Sequence, residues 1–343
     1  MYITERELRG QFEALEKTLA LLMQSRDKAK AQLDEVKKLV VLGCGSSYSL
    51  AKSAAMQFAQ KTGRAAFALA AGDLLVNFVD YAKLLEDATL LLLSRSGSTS
   101  ELVRAASLCR EGFGCRVLSV CARENAPVEE LADWSLNIPW AFDEAVCQTR
   151  TVSNLYAAAL GLACIAGGDE AGLEALTRLP ALARDFCPRQ EQSLTLAASE
   201  DWSRAVVLAD SGCAGLAEEG ALAFKEICRR DSNHYHMLDC RHGPMVQICP
   251  DTLVIALLSK GDRKLQAALL GDVAAKTSHL LVLDRADGGD KLPGRRIRLP
   301  DCGSADAEAI FGLYCIQLVC YRHALGRGVD PDSPEGLEPW IKL

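Results

Sequence analysis

The sequence predicts an α/β chain: two tandem three-layer αβα units, each on a parallel sheet, in a duplicated arrangement. Three observations predict it. Short apolar runs alternate with loops and helical stretches in strand–loop–helix order. The second half repeats apolar positions of the first at a near-constant offset. A length of 343 residues suits two units of ordinary size.

Taken in order, residues 1–35 read as one long amphipathic leading helix. Thr4 and Glu7 have capping-box spacing, and Leu8, Phe12, Leu15, Leu19 and Leu22 recur at helical intervals. Residues 36–166 form the first unit. Its strand Leu39 to Leu42 stops at Gly43-Cys44-Gly45-Ser46-Ser47, and an alanine-rich helix follows over 50–60. A second strand, Thr89 to Leu93, stops at Ser94-Arg95-Ser96-Gly97-Ser98-Thr99 and feeds a helix near Glu101; Cys115 to Val120 makes a third. Residues 167–201, with Pro180 and Pro188, read as a helical connector, and 202–325 as the second unit. The tail, 326–343, carries Pro331, Pro334 and Pro339 and reads as extended.

The repeat shows when Val40-Val41-Leu42 is set on Val206-Val207-Leu208. Leu50 then meets Leu216, Ala51 meets Ala217, Ala55 meets Ala221 and Phe58 meets Phe224. Further on, Leu92-Leu93 falls on Leu257-Leu258 and Val117-Leu118 on Leu280-Leu281, the offset drifting by only a few residues.

Composition excludes several classes. A net charge of −7 and a pI near 5.4 argue against a nucleic-acid binder, which needs a basic face. Charged residues near Met1 precede any apolar run, so no signal peptide is expected, and no apolar stretch is long enough for a membrane span. Fourteen cysteines without a Cys-x-x-Cys pair then read as reduced, mostly buried small hydrophobes of a cytoplasmic protein.

Chemistry is expected at the strand ends, where open α/β sheets hold ligands. In the first unit, both loops there are rich in hydroxyls: Ser46, Ser47 and Ser49 in one, Ser94, Ser96, Ser98, Thr99 and Ser100 in the other. Each opens a helix whose unpaired N–H groups favour an anion, and Gly43, Gly45 and Gly97 let the backbone approach. A phosphate monoester fits such donors without a large positive charge. Helix capping with flexible turns is the plainer alternative for these serines. A dinucleotide fingerprint fails because Tyr48 occupies its third glycine position. No Walker loop and no Gly-x-Ser-x-Gly elbow is present. The matching loops of the second half, Ala209-Asp210-Ser211-Gly212 and Ser259-Lys260-Gly261-Asp262, have lost the hydroxyl cluster and gained acids.

The second dense segment runs from Glu218 to Gly243. Glu226 lies on a helix with Leu216, Leu222, Phe224 and Ile227, where a solvated residue paired with Lys225 or Arg230 is the plain reading. His234, His236 and His242 with an acid would suit zinc, but His-x-His on a loop is a loose signal, and no metal or other cofactor is expected.

Five segments in order and spacing resemble the double sugar-isomerase (SIS) domain proteins. They are Gly43-Cys44-Gly45-Ser46-Ser47-Tyr48, Ser94-Arg95-Ser96-Gly97-Ser98-Thr99 with Glu101, and Val146-Cys147-Gln148-Thr149-Arg150-Thr151. The other two are Glu219-Gly220-Ala221-Leu222-Ala223-Phe224-Lys225-Glu226 and Arg241-His242-Gly243-Pro244. The chain is similar to the isomerase half of glucosamine-6-phosphate synthase, to AgaS-like phosphosugar isomerases and to fructosamine-6-phosphate deglycases. The resemblance implies two SIS domains of flavodoxin-like topology. Phosphate and sugar would be bound by Gly45, Ser46, Ser47, Ser94, Arg95, Ser96, Ser98 and Thr99, and by the Cys147, Gln148 and Thr149 loop. It implies proton transfer between C1 and C2 by Glu226, and ring opening by His242, supplied in related proteins by the neighbouring subunit of a homodimer. The synthase's lysine three residues before that glutamate is Ala223 here. Its tail lysine aligns with Pro339, leaving Lys342 as a substitute.

These residues suit an aldose–ketose isomerase working through a cis-enediol. A deaminase or deglycase of amino-sugar phosphates uses the same groups and remains the alternative. A non-catalytic phosphosugar-binding regulator is disfavoured by the acidic charge and by the lack of a basic N-terminal helical domain. Neither nucleic acid nor membrane is expected as a partner.

Overall fold

A computed structural model of the chain describes residues 1–285 and 291–337, which divide into two compact units. The first comprises residues 9–144 and 148–177. The second comprises residues 1–8, 145–147 and 178–337. Lys342 lies outside the described residues.

The leading segment is two helices, α1 (Ile3–Gln24) and α2 (Arg26–Asp34), rather than one. The bend falls at Ser25 (φ −90°, ψ 1°), in a stretch where nothing between Leu22 and Ala29 is buried. With no apolar face to pack, little holds the helix straight there. The expected capping box is also replaced. The carboxylate of Asp332 caps α1, accepting from Ile3 N (2.8 Å) and Thr4 N (2.7 Å), while the Thr4 hydroxyl lies 3.0 Å from the Pro331 carbonyl. Glu7 instead accepts from Ala145 N at 3.4 Å. A carboxylate next to unpaired helix N–H groups is favoured by both hydrogen bonding and the dipole, and it displaces the local device.

The first unit continues as β1 (Lys38–Gly43), α3 (Ser46–Thr62), β2 (Ala65–Ala70), α4 (Ala71–Val76), α5 (Ala82–Leu85) and β3 (Ala88–Ser94). Then come α6 (Ser100–Phe113), β4 (Arg116–Cys121), α7 (Pro127–Leu131), β5 (Trp134–Asn137) and α8 (Arg150–Gly167). All five strands are parallel, in the order β2-β1-β3-β4-β5. This is the flavodoxin-like order. Every residue of β3 is buried, as a strand covered on both faces requires. One sheet face buries Val40, Leu42, Leu90, Leu92 and Val117 against Leu102, Ala105 and Cys109 of α6. Helix α8 is buried almost all round and is accordingly apolar all round.

The segment read as a connector is a continuous helix, α9 (Glu170–Ser199), carrying both internal prolines. The second unit holds β6 (Arg204–Leu208), α10 (Ala214–Ile227), β7 (Asp231–Tyr235), β8 (Thr252–Leu257) and α11 (Arg263–Ala274). It ends with β9 (Leu280–Asp284), β10 (Arg295–Arg298) and α12 (Ala305–Gly326). Its parallel order, β10-β9-β8-β6-β7, is that of the first sheet read from the opposite edge. The segments set against each other in the sequence fall on strands in equivalent positions: β1 with β6, β3 with β8, β4 with β9. Residues 327–337 make turns and bends, not helix.

The fourteen cysteines are free thiols, and all but Cys44, Cys187 and Cys249 are buried. Burial pushes the Cys109 thiol up to about 12 and Cys121 up to about 11, so both are inert packing groups. Among the described residues no helix is long and apolar enough to cross a membrane.

Candidate active site

Strands β1 and β3 are neighbours, Leu42 standing opposite Leu92. From β1 the chain passes through α3 to β2 on one side; from β3 it passes through α6 to β4 on the other. With right-handed crossovers, the helices leave toward opposite faces and open a crevice at the carboxyl ends of β1 and β3. The two hydroxyl loops sit at those ends.

Two glycines shape the loops. A Cβ on Gly43 would lie 2.4 Å from the Ser47 backbone carbon, so the strand end and α3 could not meet as they do. Gly97 has φ +63°, and its Cβ would come within 2.4 Å of Ala126 Cβ and 2.7 Å of Cys121 Sγ. Gly45, at φ +52°, occupies the N-cap position of α3.

The hydroxyls are not used as caps. Thr99 is the N-cap residue of α6 but makes no side-chain capping bond, and none caps α3. Among the described residues, the hydroxyls of Ser46, Ser47, Ser98 and Thr99 make no hydrogen bond. Ser94 Oγ accepts from Gly97 N (2.9 Å) and Ser96 Oγ from Ser98 N (3.2 Å). Each oxygen is thereby oriented with its own O–H left to donate. The first turn of α3 is partly closed on itself, Ser47 N reaching Cys44 O and Tyr48 N reaching Gly45 O. The N-terminus of α6 is therefore the better anion port. Glu101, in its first turn, has a buried Oε2 with no hydrogen-bond partner. It faces Cys44, whose thiol is pushed up to about 11 by burial and then by this carboxylate.

Arg95 is buried, and its charge is one of those that act on the Asp143 carboxyl. Burial raises the Asp143 carboxyl, and the N–H groups of Thr151 and Thr149, then Arg150 and Arg95, oppose the rise. Asp143 Oδ2 accepts from Thr149 N and Thr151 N, both at 2.8 Å, and so fixes the start of α8. Asp143 carried no signal in the sequence; a lone acid ahead of a helix has no period. Gln148, in the same turn, has a buried Oε1 with no partner, whereas Thr149 is fully buried. Cys147 is buried within the second unit.

The second sheet's equivalent ends are chemically closed. Asp262 caps α11, accepting from Lys264 N (2.9 Å) and Leu265 N (3.1 Å). Ser259 is tied to Gln266 through its N–H, carbonyl and hydroxyl. Asp210 accepts from Met237 N at 3.0 Å.

Glu226 stands half-buried in the last turn of α10, lining a groove of about 440 Å³ with Lys225, Arg229, Pro334 and Glu335. Arg230 is engaged elsewhere: its Nε donates to His323 Nε2 (3.0 Å) and an Nη to the Trp202 carbonyl (3.2 Å). His242 is exposed after a short 3-10 turn, ahead of Gly243 at φ +123°. The metal alternative finds no cluster: His234 lies 3.5 Å from Glu218 and His236 3.3 Å from Asp210, and no group of three ligands suits a metal among the described residues.

Comparison with known proteins follows this geometry. A family model of the SIS domain matches residues 32–163. Glutamine–fructose-6-phosphate aminotransferase (isomerizing) from Chlamydia trachomatis is 26% identical over 355 residues, covering 98% of this chain and 57% of the relative. The chain thus spans little more than half of that relative's length. The tagatose-6-phosphate ketose/aldose isomerase structure from Escherichia coli superposes with TM-score 0.87 at 22% identity, covering 99% and 97% of the two chains. That of glucosamine-6-phosphate deaminase from Thermotoga maritima gives 0.80 at 23%, covering 99% and 100%. These structural likenesses show the fold.

Proposed function

We propose that this chain, which carries a SIS domain over residues 32–163, is a phosphosugar aldose–ketose isomerase acting on a plain or amino-substituted sugar 6-phosphate. The observation that carries the reading is the contrast between the two switch points. The first presents uncommitted hydroxyls around an uncapped helix start, and the second has its helix capped by Asp262. An anion is recognised by the former and repelled by the latter.

In this reading the phosphate is held by Ser94, Ser96, Ser98, Thr99, Ser46, Ser47 and the N–H groups of α6, with Gln148 beside the sugar and the buried Thr149 behind it, holding the turn through Asp143. Remote anchoring supplies orientation to the reacting carbons. His242, contributed by a second copy of the chain, promotes ring opening. Glu226 takes the proton α to the carbonyl and returns it to the adjacent carbon of the cis-enediol. The test is deuterium incorporation from heavy water into fructose 6-phosphate and related sugar phosphates. Glu226→Gln should abolish exchange; unchanged exchange would remove Glu226 from the mechanism.

A second reading, cleavage of a carbon–nitrogen bond in an amino-sugar or fructosamine 6-phosphate, is favoured by Ala223. This residue is buried and stands three before Glu226, so no amine is available there. Release of free amino acid or ammonia by the enzyme would replace the isomerase reading with this one.

A further inference from the structure

The outer backbone groups of an edge strand need water or another strand as partner, and folded proteins commonly guard such edges. Three of the four edges here are guarded. β10 carries Arg295, Arg296 and Arg298, β7 carries Asp231 and His234, and β5 is only four residues long. β2 is the exception: Ala65-Ala66-Phe67-Ala68-Leu69-Ala70 contains neither a charge nor a proline. Among the described residues, the backbone of residues 65–69 bonds to nothing beyond β1. An open, apolar edge of this kind is a template for another strand.

The apolar surface continues beyond the strand. Phe67 stands opposite Val40 and Leu69 opposite Leu42, so both point to the face where Val40, Leu42 and Leu74 pack. Phe67 is nonetheless 42% exposed. Val76 and Val79, in the segment that leaves β2 across this face, are 82% and 83% exposed. That segment's place in the core is already filled by Leu74, so packing within the chain does not account for the two valines.

We infer that a second copy of this chain covers this edge, the two β2 strands pairing antiparallel about a two-fold axis at Phe67. The occupant follows from the chemistry of the edge. The strand laid on it must be apolar and uncharged, and among this chain's edges only β2 is so throughout. β10 set against itself would put arginine opposite arginine, which is repulsive, whereas β2 meets itself without a like-charge pair. Two identical antiparallel strands form an isologous contact, so one patch serves both copies and the assembly closes. With the axis at Phe67, Ala65 opposes the partner's Leu69 and the two Phe67 rings oppose each other on one face. Two five-stranded sheets are thereby joined edge to edge. This contact is separate from the one that would deliver His242, and it does not rest on the isomerase reading.

The mass of the full chain's assembly is measured by light scattering. Ala65→Lys with Phe67→Lys gives β2 the guard that other edges have and sets like charges across the axis. Both positions are exposed, and circular dichroism checks that the fold is kept. The variant's assembly should have half the mass of the unaltered one. A second measurement does not depend on that variant. Residues paired at the axis have Cα atoms about 4.5–5.5 Å apart, within disulfide range. Oxidised with copper phenanthroline, Phe67→Cys chains should link in pairs beyond the background of the unaltered chain. Ala65→Cys chains alone should not, whereas a mixture of Ala65→Cys and Leu69→Cys chains should. Equal mass for the lysine variant and the unaltered chain overturns the inference. So does linking by Phe67→Cys that is no stronger than background or than Ala65→Cys alone.

Discussion

Replacing Ser96 by alanine probes the proposed phosphate cradle most directly. Ser96 Oγ accepts from Ser98 N at 3.2 Å, so its proton is left for a ligand. Removing it deletes one hydrogen bond to a charged phosphate, worth about 1.5–3 kcal/mol, and leaves Ser98 N to water. The expected loss in kcat/KM is roughly tenfold to a hundredfold. Because phosphate anchoring also positions the reacting carbons, KM should rise and kcat should fall together. The inhibition constant of inorganic phosphate should rise by a similar factor. Asp262→Ser serves as the control, since that residue caps α11 in the other sheet and should leave kcat/KM within about twofold. Assays of sugar-phosphate interconversion over a range of substrate concentrations separate the two parameters. A loss below twofold, or a fall in kcat with phosphate inhibition unchanged, would refute the cradle.

Three further outcomes are expected. Asp332→Ala removes the acceptor for Ile3 N and Thr4 N and should cost about 1–2 kcal/mol in urea unfolding; an unchanged midpoint would show that water caps α1 equally well. His323 stacks on Trp202, its ring centroid 3.6 Å away, and is held below the ordinary histidine value of 6.5, first by burial, then by Arg230 and Arg327 against the Ala198 carbonyl. Its folded value lies below the unfolded one, so its contribution is complete above pH 6.5 and is lost as pH falls through that value; urea midpoints equal at pH 8 and pH 5.5 would contradict this. Finally, if His242 acts in the partner's site, mixing inactive Glu226→Gln and His242→Ala chains should restore about a quarter of the activity by random dimer exchange. No recovery after verified exchange would assign His242 to its own subunit.

The central strands of both sheets were readable because their residues are covered on two faces and must be apolar throughout. The four edge strands were not. β2 is alanine-rich, β5 is short, β7 reads Asp231-Ser232-Asn233-His234-Tyr235, and β10 reads Arg295-Arg296-Ile297-Arg298. An edge strand shows one side to solvent and gains by being polar, so its sequence looks like a loop. The same asymmetry governs the site. The hydroxyl loops announce themselves by composition, but the influence of the Arg95 charge on Asp143 joins residues far apart in the chain. Likewise Thr4 and Glu7 have the right spacing for a local cap, and only the approach of Asp332 displaces it. Local signals survive where local geometry decides; they fail where a distant carboxylate offers a better partner.

The grip of Asp332 on the first turn of α1 also orders events during synthesis. Residues 9–177 contain every element of the first unit and can fold while the rest of the chain is still being made. The eight residues ahead of them belong to the second unit and must wait for a partner more than three hundred positions downstream. A nascent chain halted after residue 177 is therefore expected to resist protease except at its first few residues and around residues 145–147, which also belong to the second unit. Protection of those residues at that stage would mean that the first unit can hold them alone.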